Sequence, residues 1–397
     1  SLLNIDTTGN IMTNFATPTL FFILSALLIA QAFEKVGFGQ RVSLRVTTIL
    51  GNKSKYVLLS LMGCTALLSA FLVNIPSAII VGAIAYEVLR KNNCLPGESE
   101  FGKSIMLGIP IAASVGGVST PAGSGVNILA INLLKNVTGI EIGFLQWSIV
   151  GVPLAILLTI VSWLVLCMFY KPELEEIKGF EDIEEERKKL GKVGRDEKIF
   201  IIVFGTVIIL WMTSSLTGLE TAFVSMLAAT IFFLPGIDIL NWREASKKIG
   251  WETLLLVGSC NALAMILSDH GSAQWISDTL LGGLIGSSLL VVLLAVSTFG
   301  IFIHLLVPIS GAIIAITVPI VAVLAQTMGM NPVYLVLTLA YTASCVFLIP
   351  LDPTCLTTHG YGYWDIKDMS KPGFVIGVLW ILILVPLMYA AISLNLI

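Results

Sequence analysis

Long apolar stretches, separated by short polar connections, run along almost the whole chain. A helix must present about 20 mostly apolar residues to span the ~30 Å hydrocarbon core of a bilayer. Uninterrupted stretches of this kind cover 17–36, 145–170, 198–216 and 373–395. The pattern predicts an all-α polytopic membrane protein whose surface largely faces lipid.

Further apolar runs are interrupted by proline, glycine and small polar residues. These runs are 55–90, 105–135, 285–327 and 331–363. Their interruptions lie at Asn74–Ser77, Gly116–Asn127, Val307–Gly311 and Ile349–Thr358. Irregular backbone at membrane depth persists only where it is buried in protein or lines a polar cavity. The interruptions therefore predict a binding site built partly from unwound backbone.

The interruptions occur in the same order in both halves of the chain. The first half has a hairpin-like "FLVNIPSAII" (71–80) and then a broken helix "GGVSTPAGSGVN" (116–127). The second half has "LLVPISGAII" (305–314) and then "IPLDPTCLTT" (349–358), and 15–36 resembles 250–271. We predict a first repeat at 1–170, a linker at 171–197 and a second repeat at 198–397.

Loop charges predict how these repeats are oriented. Cytoplasmic loops are enriched in Lys and Arg, which places the highly charged linker 171–197 in the cytoplasm. The loop 90–103 contains Arg90, Lys91 and Lys103, whereas 270–287 contains neither Lys nor Arg. The two hairpins should therefore be re-entrant and open on opposite sides. Inverted repeats of this type are typical of secondary transporters, and we expect this one in the plasma (inner) membrane.

The two predicted repeats differ in what precedes them. Two apolar spans, 198–216 and 220–234, stand before the second hairpin region, and nothing equivalent stands before the first. We therefore expect the natural protein to carry a further pair of helices before Ser1.

Composition excludes several classes of protein. Hydrophobic residues make up 56% of the chain and charged residues only 12%, against about 25% charged residues in soluble domains. A net charge of −3 argues against a nucleic-acid partner. Gly97–Ser104 fits the GxxxxGK[ST] pattern, but it lies between membrane segments without the strand that a phosphate-binding loop requires. No HExxH or DDxxD motif is present, so an enzyme is not expected.

The segment "AASVGGVSTPAGSGVNIL" (112–129) and the closing "GYGYWDIKDMSKPGF" resemble the divalent anion:sodium symporter family, the INDY-type dicarboxylate carriers of the ion transporter superfamily. Gly116, Gly117, Thr120, Gly123 and Asn127 match the family's motif, and Ser124 replaces its Thr. The resemblance covers essentially the whole chain. It implies a homodimeric secondary active transporter of small divalent anions such as dicarboxylates, coupled to Na⁺ without another cofactor. It also implies a scaffold domain and an elevator-type transport domain.

Candidate site residues follow from the interruptions and from the resemblance. Hard cations prefer several oxygen ligands, which backbone carbonyls and Asn, Ser and Thr side chains supply. The predicted Na⁺ ligands are Asn74, Ser77, Gly116, Thr120, Ser124, Asn127 and Asp352. The predicted substrate contacts are Asn74, Pro76, Ser77, Ser310, Thr120, Thr354 and Thr357.

The second half departs from the family's hairpin pattern, Ser-Asn-Thr-Ala-Thr, because it reads Leu306–Ser310 and has no Asn there. Asp352, a charge in an apolar context, could replace the missing cation ligands or carry a proton. His304 is a second possible proton site or a buried histidine with a structural role. Four alternatives to Na⁺-coupled transport remain. They are proton coupling, exchange of another anion such as citrate or sulfate, an anion channel and an intramembrane enzyme.

Overall fold

The structure, a computed structural model, describes residues 6–47, 50–178, 185, 189–307 and 309–397. Some predictions fall on residues that the structure does not describe. These residues are 1–5, most of 179–188 within the predicted linker, and Pro308 in the third predicted interruption. Within the described residues, regular structure is helical except for an isolated bridge between Lys53 and Glu176. This confirms the predicted all-α class.

The helices of the first half follow one another along the chain. They are Thr8–Phe15, Pro18–Lys35, Phe38–Thr47, Ser54–Leu72, Asn74–Lys91, Glu100–Gly117, Gly125–Thr138 and Phe144–Phe169. The main helices of the second half are Arg195–Met212, Thr221–Ile231, Trp242–Lys248, Trp251–Asp269, Leu289–Phe302, Ser310–Thr327, Pro332–Thr342, Pro353–Leu356 and Ile366–Ser393. Pro18, Pro332 and Pro353 each stand in a first turn, where the missing N–H breaks no helical hydrogen bond.

Five stretches of helix in the described part of the chain are long and apolar enough to cross a membrane. They are Thr8–Lys35, Ser54–Leu72, Phe144–Phe169, Ser310–Thr327 and Ile366–Ser393. A bent pair, Leu254–Leu267 with Ser272–Thr279, would make a sixth. The predicted span 198–216 was displaced along the chain, because its helix is Arg195–Met212 and begins with charged residues at 195–198.

The first hairpin, here called hairpin 1, consists of Ser54–Leu72 and Asn74–Lys91. Only Val73 interrupts it, with φ at 68°, a backbone conformation that is strained for a β-branched residue. The predicted interruption at Asn74–Ser77 was therefore misplaced: Asn74 already begins the second helix. The prediction treated Pro76 as a helix break, but Pro76 stands in the first turn of the second helix, where proline is accommodated.

The open end of hairpin 1 is fastened to the residues that follow helix Phe144–Phe169. The Ser54 N–H donates to the Glu175 carbonyl at 3.0 Å, and the Asn92 amide donates to the Lys178 carbonyl at 3.0 Å. Since the start of one helix and the end of the other meet the same segment, the two helices are antiparallel.

Broken helix 1 consists of Glu100–Gly117 and Gly125–Thr138, separated by an unwound stretch that includes a short 3-10 turn. It packs along hairpin 1. The Glu173 carboxylate accepts hydrogen bonds from the Phe101 N–H, at 2.8 Å, and from the Ser99 hydroxyl. A side-chain anion therefore occupies the helix N-terminus at which a phosphate-binding loop would place phosphate.

Hairpin 2 consists of Leu289–Phe302 and Ser310–Thr327, and broken helix 2 of Pro332–Thr342 and Pro353–Leu356. Broken helix 2 unwinds at Ala343, six residues before the predicted start at Ile349. Its unwound backbone is buried against helix Ile366–Ser393, where a side chain on Gly373 would collide with the Phe347 carbonyl at 2.6 Å. The prediction was wrong here because the apolar sequence alone predicts a continuous helix, whereas packing against Ile366–Ser393 favours unwound backbone.

The two halves of the molecule share one packing pattern. In each half, the second helix of the hairpin packs on the first part of its own broken helix and on the second part of the other broken helix. The long helices Phe144–Phe169 and Ile366–Ser393 pack on each other and on their own hairpins. This arrangement brings both hairpin turns and both breaks to the middle of the molecule.

Candidate functional site

The turn of hairpin 1 is tied to the break of broken helix 1 through Asn74. Its amide nitrogen donates to the Ser69 hydroxyl at 2.8 Å and to the carbonyls of Ala113 and Gly123, each at 3.2 Å. The amide lies directly over Gly117, where an added Cβ would come within 2.0 Å of it. The Asn74 side chain can therefore occupy this position only because residue 117 has no side chain.

Asn127 organises the break itself. Its amide nitrogen donates to the Gly117 carbonyl at 2.8 Å and to the Thr120 carbonyl at 2.9 Å. Its side-chain oxygen is buried and has no hydrogen-bond partner. Buried acceptors are rarely left unpaired, because the loss of water is not compensated. An unpaired oxygen among unwound carbonyls is suited to binding a cation.

The other predicted residues of this region divide into two groups. The Thr120 hydroxyl donates to the Ala70 carbonyl, and Gly116 packs so closely that a Cβ would meet Ala66 backbone at 2.2 Å. Ser124 caps helix Gly125–Thr138. These three residues therefore lie in the same cluster as Asn74 and Asn127. Ser77 lies a turn further along, and its hydroxyl donates to the Val73 carbonyl of its own helix.

A cavity of about 530 Å³ lies between the two hairpin turns and the two breaks. Its lining includes the predicted residues Asn74, Pro76, Ser124, Ser310, Asp352 and Thr354. The predicted residues that do not line it are Ser77, Gly116, Thr120, Asn127, Thr357 and His304. The Thr357 hydroxyl donates instead to the Thr354 carbonyl at 2.7 Å. The opposite wall is largely apolar and comes from helices Pro18–Lys35 and Trp251–Asp269.

Several helices begin at this cavity, among them Asn74–Lys91, Gly125–Thr138 and Ser310–Thr327. The first N–H groups of a helix lack partners within the helix, and its N-terminus carries partial positive charge. Converging helix N-termini are therefore suited to binding an anion. Among the residues that line the cavity, the one cationic side chain is Lys248, whose ammonium lies 3.6 Å from the Glu34 carboxylate.

Asp352 and His304 lie on the side of the second repeat. Asp352 is half-buried, and its carboxylate accepts from the Thr354 N–H at 2.9 Å, which caps helix Pro353–Leu356. His304 is buried, and its Nδ1 lies 3.1 Å from the Gly300 carbonyl while its Nε2 lies 3.1 Å from the Ala343 carbonyl. His304 therefore bridges the turn of hairpin 2 to the break of broken helix 2, outside the cavity.

The family model for the sodium:sulfate symporter transmembrane region matches residues 2–394. The chain belongs to this family. Membership confirms the resemblance to the divalent anion:sodium symporters, and it confirms that this family member is a transporter and an integral membrane protein rather than an enzyme.

Two curated relatives are similar over nearly the whole chain. The sodium-dependent dicarboxylate transporter SdcS of Staphylococcus saprophyticus is 28% identical over 401 residues, covering 94% of this chain and 76% of SdcS. SdcS of Staphylococcus aureus (strain USA300) is 27% identical over 416 residues, covering 97% of this chain and 78% of the relative.

Two solved structures share the fold. The YdaH transporter of Alcanivorax borkumensis superposes with a TM-score of 0.69, covering 97% of this chain and 88% of its own. MtrF of Neisseria gonorrhoeae, described with a class of antimetabolite efflux pumps, superposes with a TM-score of 0.65 over 96% of this chain and 82% of its own. Each is 12% identical to this chain, so the likeness concerns the fold alone.

Several residues of the site in this family member were not predicted from the sequence. Ser69 holds the Asn74 amide, and Ser114 and Ser344 line the cavity. Ser69 lies five positions before Asn74 in an apolar helix, a spacing that could have suggested a shared role. Ser114 and Ser344 are isolated serines in apolar surroundings, and nothing in the local sequence distinguishes them from packing residues.

Proposed function

We propose that this family member is a secondary active transporter that couples Na⁺ movement to the transport of small dicarboxylates. The observation that carries the proposal is the central cavity, at which several helix N-termini converge. The unpaired oxygen of Asn127 lies one residue after the cavity-lining Val126. The related SdcS proteins, described as sodium-dependent dicarboxylate transporters, agree with it.

Charge balance explains why such a cavity requires a coupling cation. Its lining carries the carboxylates of Glu34, Glu252 and Asp352, and Lys248 as the one cationic side chain. A divalent anion entering this environment would be repelled unless positive charge entered with it. We assign a first Na⁺ to the cluster of Asn74, Thr120, Ser124 and Asn127, and a second Na⁺ to Asp352. Substrate affinity then depends on the bound cations, which is the basis of coupling.

The expected substrate contacts are the side chains that line the cavity together with the helix N-termini. Asn74, Pro76, Ser310 and Thr354 are in position to contact a bound dicarboxylate. Ser77 and Thr357 are less suitable, because each hydroxyl is engaged by a backbone carbonyl of its own element.

We further infer an elevator mechanism in a homodimer. The mobile domain would contain both hairpins, both broken helices, and helices Phe144–Phe169 and Ile366–Ser393, which pack together. The cavity wall of Pro18–Lys35 and Trp251–Asp269, which is apolar apart from Gln31, Glu34 and Glu252, belongs to the proposed scaffold. Few polar contacts oppose sliding along such a wall, which supports movement of one domain past the other.

Inverted topology of the two repeats is supported by the contacts of broken helix 2. Near its end, the Tyr363 hydroxyl donates to the Cys94 carbonyl at 2.9 Å, beside the open end of hairpin 1. Its first part begins at Pro332, five residues after hairpin 2 ends at Thr327. If broken helix 2 crosses the membrane, hairpin 2 opens on the side opposite to hairpin 1.

Cysteine labelling tests this orientation. Glu98→Cys and Ser288→Cys place single exposed thiols near the open ends of hairpins 1 and 2. In intact cells, an impermeant maleimide is expected to label Ser288→Cys, and to label Glu98→Cys only after permeabilisation. The wild-type protein gives the background from native cysteines, of which neighbouring Cys94 is buried. Labelling of both variants from one side would contradict inverted repeats.

Transport in proteoliposomes tests the function itself. Purified protein is reconstituted, and radiolabelled succinate uptake is measured with an inward Na⁺ gradient, with a pH gradient, or with neither. We expect saturable uptake that requires Na⁺, together with counterflow of preloaded succinate, which a channel does not produce. Competition by citrate and sulfate then defines the preferred anion. Uptake driven by the pH gradient without Na⁺ would overturn Na⁺ coupling.

Proton coupling is the second candidate function, and the geometry of His304 favours it. Both ring nitrogens face backbone carbonyl oxygens, and both contacts are hydrogen bonds only when both nitrogens carry hydrogen. A transport cycle could therefore load a proton there. His304→Gln tests this candidate, because it would abolish uptake driven by a pH gradient while leaving uptake driven by Na⁺ intact.

Asn127→Ala tests the first Na⁺ site. The substitution removes the unpaired oxygen together with the amide nitrogen that braces the break. It is expected to raise the half-saturating Na⁺ concentration by about tenfold, equivalent to about 1.4 kcal/mol of binding free energy. Asn136→Ala is a matched control, because Asn136 is an exposed residue further along the same half-helix. Thermal unfolding in detergent checks that both variants fold. An unchanged Na⁺ dependence would reduce Asn127 to a structural support of the break.

A further inference from the structure

Ser114 lies in the last turn of helix Glu100–Gly117, with only 1% of its surface exposed. Its hydroxyl has no hydrogen-bond partner, although it is buried. Buried serines in helices commonly donate to the carbonyl four residues earlier. Ser25 does so in this molecule, at 2.7 Å from the Phe21 carbonyl. Ser114 is different, and it lines the central cavity.

Ser114 directly follows a residue that holds hairpin 1. The preceding carbonyl, that of Ala113, accepts hydrogen bonds from the Ser69 hydroxyl at 2.7 Å and from the Asn74 amide at 3.2 Å. Ser344 lies in the turn that ends the first part of broken helix 2, and it lines the same cavity. Three serines near the two breaks therefore line the cavity, Ser114, Ser124 and Ser344, and of these Ser114 is the one whose hydroxyl is buried without a partner.

We propose that Ser114 is a specificity-determining residue that donates a hydrogen bond to a carboxylate oxygen of the bound substrate. The proposal rests on the function proposed above, in which the cavity holds a dicarboxylate. A hydroxyl that is already desolvated loses no further water when the substrate arrives. Its hydrogen bond to a charged oxygen is therefore a strong one, and a substrate without an oxygen at that position leaves the hydroxyl unpaired.

Ser114→Ala is expected to raise the KM for succinate by about tenfold or more, the effect of losing a hydrogen bond to a charged group. The maximal rate should change little. Ser104→Ala is the matched control, because Ser104 is buried in the same helix and its hydroxyl already donates to the Phe101 carbonyl at 2.8 Å. A Ser114→Ala protein with the wild-type KM would overturn the proposal.

Ser114→Cys keeps the proposal testable if the alanine variant folds poorly. A thiol donates a weaker hydrogen bond than a hydroxyl, so Ser114→Cys should also raise the KM for succinate several-fold. Ser104→Cys should leave the KM unchanged. A folded Ser114→Cys protein with the wild-type KM would overturn the assignment.

Failure of the proposed function has a separate signature. If wild-type protein shows no Na⁺-driven succinate uptake, the proposed dicarboxylate transport is wrong. Citrate, sulfate and monocarboxylates are then tested for stabilisation of the wild-type and Ser114→Ala proteins against thermal unfolding. An anion that stabilises the wild-type protein more than Ser114→Ala supports Ser114 as a substrate contact, and equal stabilisation, or none by any anion, overturns it.

Discussion

Replacing Asp352 by asparagine is expected to reduce Na⁺-driven dicarboxylate uptake by at least about 100-fold, equivalent to about 2.7 kcal/mol. The large effect follows from the position of the carboxylate. Asp352 lines the cavity and stands in the break that would hold the second Na⁺, where the hairpin sequence supplies no Asn. Without the charge, Na⁺ there would be bound by neutral oxygens alone.

The substitution separates charge from structure. Asparagine and aspartate are comparable N-cap residues, so Asp352→Asn retains the bond to the Thr354 N–H that caps helix Pro353–Leu356. The fold should therefore survive while the charge is lost. Asp365→Asn is the matched control, because Asp365 also caps a helix, Ile366–Ser393, but does not line the cavity.

Two assays distinguish the two possible roles of the carboxylate. If Asp352 binds Na⁺, its loss impairs both gradient-driven uptake and succinate exchange, since substrate affinity depends on the bound cation. If Asp352 carries a proton, net uptake is lost while exchange continues. We expect the first result. Normal transport in both assays would show that Asp352 is only a helix cap.

Much of the fold could be predicted because apolar runs of membrane length are unambiguous. The helices Pro18–Lys35 and Phe144–Phe169 begin and end within a residue of their predicted limits. Breaks were harder to place. In hairpin 1, the interruption falls on Val73, an apolar residue with no local signal, and the neighbouring proline suggested a position further along. In broken helix 2, unwinding begins at Ala343 because of packing against Gly373, which is remote in sequence.

The candidate site was predicted where its residues lie in a motif, and missed where only the fold brings residues together. Asn74 and Asn127 belong to interruptions that the sequence reveals, and the structure unites them through Gly117 and Gly123. Ser114 is an ordinary serine in an apolar helix until the cavity beside it is known. Hydrogen-bonding capacity is visible in a sequence, but the lack of a partner is visible only in a structure.

Gly117→Ala is expected to abolish Na⁺-dependent uptake in a protein that still folds. Gly117 is the last residue of its helix and does not have a positive φ, so alanine can adopt the same backbone conformation. The added Cβ would nevertheless come within 2.0 Å of the Asn74 amide. Only side-chain atoms of Asn74 obstruct the added Cβ. This side chain can move away from Ser69 and Gly123 without unfolding the helix. The first cation site would then lose a ligand and its carbonyls would lose their alignment.

The neighbouring glycine supplies the contrast that makes the result interpretable. A Cβ on Gly116 would meet the Ala66 carbonyl oxygen at 2.2 Å and its Cα at 2.4 Å, and backbone cannot move aside as a side chain can. Gly116→Ala should therefore lower the thermal unfolding temperature, since overpacking a tight interior typically costs about 1–3 kcal/mol. Gly63→Ala, with nothing within 4 Å of its added Cβ, should leave both stability and uptake unchanged. If Gly117→Ala transports with the wild-type Na⁺ dependence, the Asn74 amide is not part of the cation site, because the substitution cannot leave that amide in place.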